Sequence, residues 1–266
     1  MGLIEWCDSK ITALKQNKIE FKNGIPLVPE DMVYDGVPDF IETFQFRNEI
    51  PVDKRKTSLV AHFTGENRLW ARLNKIEEDS IILGDYGGMV GMDVSPSINM
   101  LRPRQYHSML INAIYNCLMA LKGIKIATNA RIGDIGTLNM ISTFPKEKTL
   151  VFSNLGCRGK FIDYSMYIFE RTIIDNCPVH ICLYGKLSRK CINKLRKLNM
   201  DLTIYLYHEH NYCTNDKKSV FIIRSNEYTT NKPRYGHICE LIVTHGIKKI
   251  NTFDVTALKG GVPNAR

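Results

Sequence analysis

The chain has 266 residues, of which 44% are hydrophobic and 24% charged, a balance typical of ordinary globular proteins that argues against intrinsic disorder. Its formal charge of +9 at pH 7 favours an anionic partner such as nucleic acid, a nucleotide or an acidic protein, although solvated surface lysines explain the charge equally well. Every apolar run is far shorter than the roughly 18 residues of a membrane-spanning helix, so we predict a soluble protein without a membrane partner.

The eight cysteines favour a reducing cytoplasm, because no signal peptide precedes them and most lie inside apolar runs such as HICLYG and HICELIV. A free thiol in such a run behaves as a small hydrophobic side chain. The chain contains no C-x-x-C pair, which argues against a structural zinc ribbon.

The first 16 residues, MGLIEWCDSKITALKQ, place apolar side chains at helical spacing and predict a helix. The next stretch is rich in glycine and proline and predicts an irregular arm that runs to about residue 58. Its aromatic run FIETFQF is expected to pack the arm on the main body. We therefore divide the chain into a helix with an arm at 1–58, an α/β domain at 59–258 and a flexible tail at 259–266.

Six short apolar runs follow the arm, and each leads into polar residues and then a helix-like stretch. They are LVAHF (59–63), GMVGMDV (88–94), GIKIAT (123–128), TLVFSN (149–154), VHICLYG (179–185) and LTIYLYH (202–208). Their starts lie roughly 25 to 35 residues apart, the length of a strand with its crossover helix. Nearly continuous apolar character is typical of parallel strands that are covered on both faces.

Repeated units of this kind build a doubly wound sheet or a barrel. We predict an α/β fold of repeated β/α units that is TIM-barrel-like or an incomplete barrel. After residue 208 the pattern weakens, and the strand-like segments KSVFIIRS and ICELIVT predict a C-terminal hairpin.

Polar residues occupy the ends of successive predicted strands, where parallel α/β folds bind ligands. The candidates are His62, Thr64, Glu66, Asp93, Ser95, Ser97, Asn129, Arg131, Asp134, Ser153, Asn154, Cys157, Tyr184, His208, Glu209 and His210. For any single residue a helix cap is the more frequent explanation. The succession of such groups at strand after strand favours a shared pocket.

Within that pocket we assign Asp93 and Asp134 as acid/base or metal-binding carboxylates and Arg131 as the clamp for an anion. Asn129 and Asn154 would orient the ligand through hydrogen bonds. Glu66, Ser95 and Tyr184 are expected to line the same pocket.

The segment SNLGCRGK at 153–160 combines two glycines with Arg158 and Lys160, a pattern that suits a phosphate bound at the start of a helix. It lacks the spacing of a Walker A loop, and a tight strand-to-helix turn explains it nearly as well. Cys157 lies beside these cations, which favour a reactive thiolate, although structural cysteines are commoner than nucleophilic ones.

The segment YHEHNYC at 207–213 places His208 and His210 one residue apart, so their side chains point the same way and with Cys213 suit a transition metal. The pair resembles the His-hydrophobe-His motif of rolling-circle nickases. Glu209 departs from that motif, and Tyr228 lies one residue too far from Lys232 to match the nickase Tyr-x-x-Lys. A second combination of metal-binding residue types is Cys177, His180 and Cys182.

Four ordered motifs, GMVGMDVSPSINMLRP, GIKIATNARIGD, LVFSNLGCRG and VHICLYG, resemble a phage- and plasmid-borne family of domains of unknown function, number four-four-one-seven. The resemblance spans about residues 59–186. It singles out Asp93, Ser95, Asn129, Arg131, Gly133, Asp134, Gly156, Cys157, Tyr184 and Gly185. The chain departs from the family at Ile132, where tryptophan is usual, at Met92, where proline is usual, and near the first strand, where Glu66 alone represents an acidic pair.

The resemblance implies a phage or mobile element acting in a bacterial cytoplasm, and it implies no established reaction. We expect an α/β protein that binds a phosphate ligand, a nucleotide or nucleic acid, in phage DNA replication or nucleic-acid metabolism, with or without catalysis. One alternative is a phosphoesterase or nicking enzyme with a divalent metal as its cofactor, using Asp93, Asp134 or the His208/His210 pair. The other is a non-enzymatic host-interaction or anti-defence protein that binds through Lys190, Lys194 and Lys197.

Overall fold

A computed structural model describes residues 2–153, 160–185, 193, 195, 197–198, 202–207, 218–223 and 241–243. The helices are α1 (Leu3–Gln16), α2 (Glu66–Arg72), α3 (Ile76–Leu83), α4 (Arg102–Leu121) and α5 (Lys160–Asn176). The strands are β1 (Phe21–Lys22), β2 (Ile25–Pro26), β3 (Ile41–Thr43), β4 (Leu59–Ala61), β5 (Gly88–Val90), β6 (Ile126–Asn129), β7 (Thr149–Ser153), β8 (His180–Tyr184), β9 (Leu202–Tyr207), β10 (Lys218–Ile223) and β11 (Leu241–Val243). Four 3-10 helices cover Glu30–Met32, Phe44–Glu49, Val52–Thr57 and Ile135–Thr143.

Strands β3 to β9 form a parallel sheet in which each strand lies beside its predecessor in the chain. This seven-stranded sheet curls into a half-barrel, which confirms the predicted α/β incomplete barrel. Strands β10 and β11 extend the sheet beyond β9 in antiparallel pairs. Within the described ranges, no helix is long and apolar enough to cross a membrane.

The sheet has apolar side chains on both faces, because successive residues of a strand point to opposite sides. On the convex face, Val60, Met89 and Ile126 pack in one cluster with Ile111 and Ile114 of α4. The concave face carries a second cluster of alternating residues: Leu59, Ala61, Val90, Ala127, Val151, Cys182, Tyr184 and Tyr207. Burial on both sides explains why the strands are nearly continuous apolar runs in the sequence.

The N-terminal arm contributes to this sheet. Strand β3 lies within the arm and pairs in parallel with β4, with Ile41 opposite Leu59. Further upstream, the Tyr34 amide donates a hydrogen bond of 2.9 Å to the Ile126 carbonyl. Thr149 Oγ1 accepts from the Gly36 amide at 2.8 Å and donates to the Gly36 carbonyl at 2.7 Å. The arm therefore supplies the edge strand and covers the start of β6 and β7.

A buried polar cluster lies on the convex face, between β4 and the helices α2, α3 and α4. Asp79 accepts a hydrogen bond of 3.0 Å from Arg72 Nε and another of 2.5 Å from the Tyr115 hydroxyl. His62 follows β4 and stacks on Phe44 with ring centroids 5.2 Å apart. Neither ring nitrogen of His62 has a hydrogen-bond partner in the described part of the chain. His62 is therefore placed as a packing residue of the core, which favours that explanation over the ligand role predicted for its strand end.

Burial and the nearby Arg72 guanidinium lower the pKa of His62 from 6.5 to about 3, so the folded protein holds the ring neutral. The unfolded chain takes up a proton below about pH 6.5, where the folded chain does not. Stability that is fully present above this pH is therefore lost as the pH falls toward 3. We expect a loss of roughly 3 kcal/mol between neutral pH and about pH 4.5 from this group alone.

The measurement is urea unfolding of the wild type and of His62→Phe at both pH values. The phenylalanine at position 62 still packs its ring on Phe44 but cannot titrate. On acidification, the free energy of unfolding of the variant should therefore fall by roughly 3 kcal/mol less than that of the wild type. Equal losses for the two proteins would show that His62 is not held neutral by the fold.

Candidate functional site

The candidate site lies at the carboxyl ends of β5, β6 and β7 and is centred on an ion pair between Asp93 and Arg131. Arg131 Nε lies 2.7 Å from Asp93 Oδ1, and the exposed fractions of the two side chains are 22% and 9%. Asn129 Nδ2 donates to the same carboxylate oxygen at 3.1 Å. Arg131 Nη2 donates a longer bond of 3.5 Å to the carbonyl of Ser153, at the end of β7. The structure thus brings together three side chains that the sequence assigned to one pocket.

Two asparagines on α4 hold the backbone on either side of Asp93. Asn112 Oδ1 accepts from the Val94 amide at 2.8 Å, and Asn112 Nδ2 donates to the Val94 carbonyl at 3.0 Å. One turn later, Asn116 Oδ1 accepts from the Met92 amide at 2.8 Å. Within the predicted strand run 88–94, the strand pairing covers Gly88–Val90, whereas the Met92 amide and both backbone groups of Val94 are bound by α4.

These asparagines were missed by the sequence analysis. The available signal was their spacing of four residues within QYHSMLINAIYNCLMALK, which places two amides on one face of an otherwise apolar helix. Buried amides normally have hydrogen-bond partners, so such a pair indicates a backbone segment docked on that face.

The environment of Asp93 favours its protonated form more than water does. Burial raises the pKa of its carboxyl above the usual value, and the nearby Glu66 at the start of α2 raises it further. The charge of Arg131 and the hydrogen bond from Asn129 act in the opposite direction. Asp93 is thus a carboxyl group whose proton affinity is increased by its surroundings, a property that acid/base residues share.

Asp134 is engaged in a cap. Its Oδ1 accepts from the Gly136 amide at 2.8 Å and so caps the 3-10 helix Ile135–Thr143. Gln105 Nε2 donates to Oδ2 at 3.2 Å, while Gln105 Oε1 accepts from the Asp134 amide at 2.6 Å. No hydrogen bond or ion pair within the described residues links Asp134 to Asp93 or Arg131. These contacts favour the helix-cap explanation for Asp134 over the acid/base role.

The two positions that precede Asp134 are explained by close packing. A Cβ atom at Gly133 would collide with Gln105 Oε1, so a larger residue there would displace the side chain that bonds Asp134. Ile132 is buried in a cluster with Met109 and Met140. Ile132, where the sequence resemblance leads us to expect tryptophan, is therefore a core residue.

The other candidates occupy different surroundings. Tyr184 is fully buried on the concave face, with its ring 5.2 Å from that of Phe63. Ser95 is half-buried, and its carbonyl accepts from the Ser97 amide at 3.0 Å. Glu66 is the first residue of α2 and is close enough to Asp93 to influence its charge.

Several predicted residues lie outside the described ones, so their positions relative to Asp93 stay predictions. They are Asn154, Gly156, Cys157, Arg158, Lys190, Lys194, His208, Glu209, His210, Cys213, Tyr228 and Lys232. Among the residues that the structure does describe, no group of three or more His, Cys, Asp or Glu side chains could hold a metal ion. Cys177, His180 and Cys182 do not form such a group: Cys177 is exposed, whereas Cys182 is buried in the concave cluster.

Comparison with known proteins gives no relative: no family model, curated protein or solved structure matches the chain. The assignment of a function therefore rests on the geometry around Asp93 and Arg131.

Proposed function

We propose that the carboxyl-terminal end of the half-barrel binds a phosphate-bearing ligand, a nucleotide or nucleic acid, with Arg131 as its anion contact. The observation that carries the proposal is the orientation of the guanidinium group. Arg131 is fixed through Nε by Asp93 and reaches Ser153 through Nη2, whereas its other N–H groups make no hydrogen bond within the described residues. Planar guanidinium donors of this kind suit phosphate oxygens.

Asp93 supplies a complementary acceptor beside Arg131. Asp93 Oδ1 accepts hydrogen bonds from both Arg131 and Asn129, and no donor among the described residues binds Oδ2. A free carboxylate oxygen next to free guanidinium hydrogens suits a ligand that carries both an anionic group and a hydroxyl or N–H donor. Nucleotides carry phosphate, sugar hydroxyl and base donor groups, so they satisfy both requirements.

The charge distribution supports an anionic ligand at this end of the sheet. Arg68, Arg102 and Arg104 are exposed near the starts of the helices that follow β4 and β5. Together with the net charge of +9, these cations attract an approaching phosphate over a distance of about the Debye length. In the phage or plasmid setting implied by the sequence resemblance, the ligand would belong to DNA replication or nucleic-acid metabolism. TIM-barrel enzymes bind their ligands at the same ends of the strands, so the proposal includes an analogy between this half-barrel and a TIM barrel.

A second candidate function is hydrolysis of a phosphoester with Asp93 as the acid/base group. The raised pKa of the Asp93 carboxyl favours it. The residues that the sequence offers for a divalent metal in such a reaction are Asp93, Asp134 or the His208/His210 pair. Hydrolysis of a nucleotide by the wild type, with loss of turnover but retained binding in Asp93→Asn, would distinguish this function from binding alone.

The nucleotide site is tested by titrating the full chain with fluorescent ATP and with a short single-stranded oligonucleotide. Arg131→Gln removes the charge and most of the donors, so we expect it to weaken binding of the preferred probe by about ten- to a hundred-fold. Arg171→Gln is the matched control, because Arg171 is a half-exposed arginine of α5 whose ion pair is with Asp175.

Equal affinities of the wild type and Arg131→Gln would contradict the proposal, as would absence of binding to both probes by the wild type. Because Arg131→Gln leaves Asp93 without its cation, the double variant Asp93→Asn/Arg131→Gln is measured beside it. The double variant restores a neutral pair and should be as weak a binder as the single one.

A further inference from the structure

A cavity of about 220 Å³ lies directly behind the Asp93–Arg131 pair. It is lined by β2 and the following turn, by α4, by β6 and by the 3-10 helix Ile135–Thr143 with the residues that follow it. Asn129 and Arg131 line it and also contact Asp93. The cavity and the candidate site therefore share one wall.

Most of the lining is apolar and adaptable. Ile25 contributes from β2, Met109 from α4, Ile132 from the segment after β6 and Met140 from the 3-10 helix, with Phe144 beyond it. Methionine side chains are flexible and polarisable, so they accommodate ligands of varied shape. Small-molecule sites typically have such walls, together with a few polar groups that fix the orientation of the ligand.

Three polar groups of that kind are present. Asn116 uses its Oδ1 for the Met92 amide, and its Nδ2 makes no hydrogen bond within the described residues. Thr128 Oγ1 is likewise without a partner among them, and Arg131 has guanidinium hydrogens to spare. Lys22 adds a second cation at the edge of the cavity, and none of the described lining residues is acidic. The unused groups are mostly donors, and Lys22 adds a positive charge beside the Asp93–Arg131 pair.

We infer that this cavity is a binding site for a small amphipathic acid, with an apolar body among the methionines and a carboxylate that accepts hydrogen bonds from Arg131 and Asn116. The volume suits this class, because an apolar cavity of about 150 Å³ holds benzene and the additional space admits a short chain. A nucleotide does not fit such an apolar space, so this site goes beyond the proposed phosphate site while sharing Arg131 with it.

The inference is tested with phenylpropionate, and with phenylpropanol as the matched neutral ligand, by ligand-observed NMR and calorimetry on the full chain. We expect one equivalent of phenylpropionate to bind, and phenylpropanol to bind at least ten-fold more weakly. Arg131→Gln should remove that preference, because the carboxylate then loses its cation.

Two variants fill the cavity from opposite walls: Ala113→Leu on α4 and Val28→Phe after β2. Each should weaken phenylpropionate binding at least ten-fold while the melting temperature is unchanged or raised, since added apolar atoms occupy empty space. Using two variants keeps the test valid if one of them does not fold. Unchanged binding in both folded variants, or no binding to the wild type at millimolar concentration, would overturn the inference.

The fluorescent ATP titration separates this site from the phosphate site. Ala113→Leu should leave ATP binding unchanged, since no hydrogen bond or ion pair among the described residues links Ala113 to Asp93 or Arg131. Binding of phenylpropionate without binding of ATP or oligonucleotide would remove the phosphate proposal and leave the cavity site standing.

Discussion

Replacing Asp79 by alanine is expected to lower the free energy of unfolding by about 3 to 5 kcal/mol, the usual cost of breaking a buried ion pair from one side. Asp79 is fully buried and ion-paired with Arg72, whose side chain is only 17% exposed. The guanidinium carbon of Arg72 lies 4.4 Å from the centre of the Phe44 ring, so the cation is fixed in place. Removal of Asp79 leaves this cation, and the hydroxyl of Tyr115, without their partner inside the helical layer.

The measurement is urea unfolding followed by fluorescence of Trp6 and Trp70 at neutral pH. Two substitutions calibrate it. Tyr115→Phe deletes one hydrogen bond to Asp79 and should cost about 1 kcal/mol. Glu78→Ala removes the exposed partner of Arg72 and Lys75 and should leave stability nearly unchanged. A loss below 1 kcal/mol for Asp79→Ala would mean that water or another group satisfies Arg72.

Replacing Asn112 by alanine is expected to have the second-largest effect, because it affects both folding and the candidate site. The substitution removes two hydrogen bonds to the buried Val94 backbone and leaves both an amide and a carbonyl unsatisfied. At about 1 to 3 kcal/mol for each orphaned buried group, we expect a loss of roughly 2 to 4 kcal/mol after relaxation. The segment that carries Asp93 then keeps only the Asn116 bond of its hydrogen bonds to α4, so ligand affinity should fall as well.

Asn116→Ala is the matched control for Asn112→Ala, since Asn116 makes a single bond to the Met92 amide and should cost about half as much stability. Both variants are measured by urea unfolding and by the fluorescent ATP titration under conditions where each remains folded. A purely structural role for Asn112 would leave the affinity of the folded fraction unchanged. A positioning role predicts that Asn112→Ala lowers the affinity for ATP, and that adding Arg131→Gln to this variant lowers it little further.

The sequence predicted most of the sheet because its strands are buried on both faces, and a strand in that position has to be an apolar run. All six predicted runs contain a strand of the half-barrel. Strand β3 was not predicted because it includes the charged Glu42 and follows a stretch rich in glycine and proline. Such a strand joins the sheet through backbone pairing, which leaves almost no trace in side-chain composition.

The candidate site was predictable as a location and only partly as a set of contacts. Strand ends in a parallel sheet converge, so Asp93, Asn129 and Arg131 could be placed at one edge from the runs alone. The choice of the carboxylate that pairs with Arg131 could not be predicted, because Asp93 and Asp134 are both aspartates that follow predicted strands. The structure separates the two carboxylates by their neighbours. Gln105 and Gly136 bind Asp134 as a cap, whereas two asparagine side chains of α4 hold the backbone on either side of Asp93.

The route of the N-terminal arm has a consequence for the order in which the protein can fold on the ribosome. The arm is synthesised before every partner that it has in the sheet. Gly36 lies 113 residues before its partner Thr149 in the sequence. Pro38 lies 169 residues before Tyr207, whose hydroxyl donates a hydrogen bond of 2.6 Å to the Pro38 carbonyl. Contacts of such separation form late, since the loop between them must first be closed. The arm is thus made before β7 and β9 but can make its contacts with them only after they have formed, and until then the concave face stays uncovered.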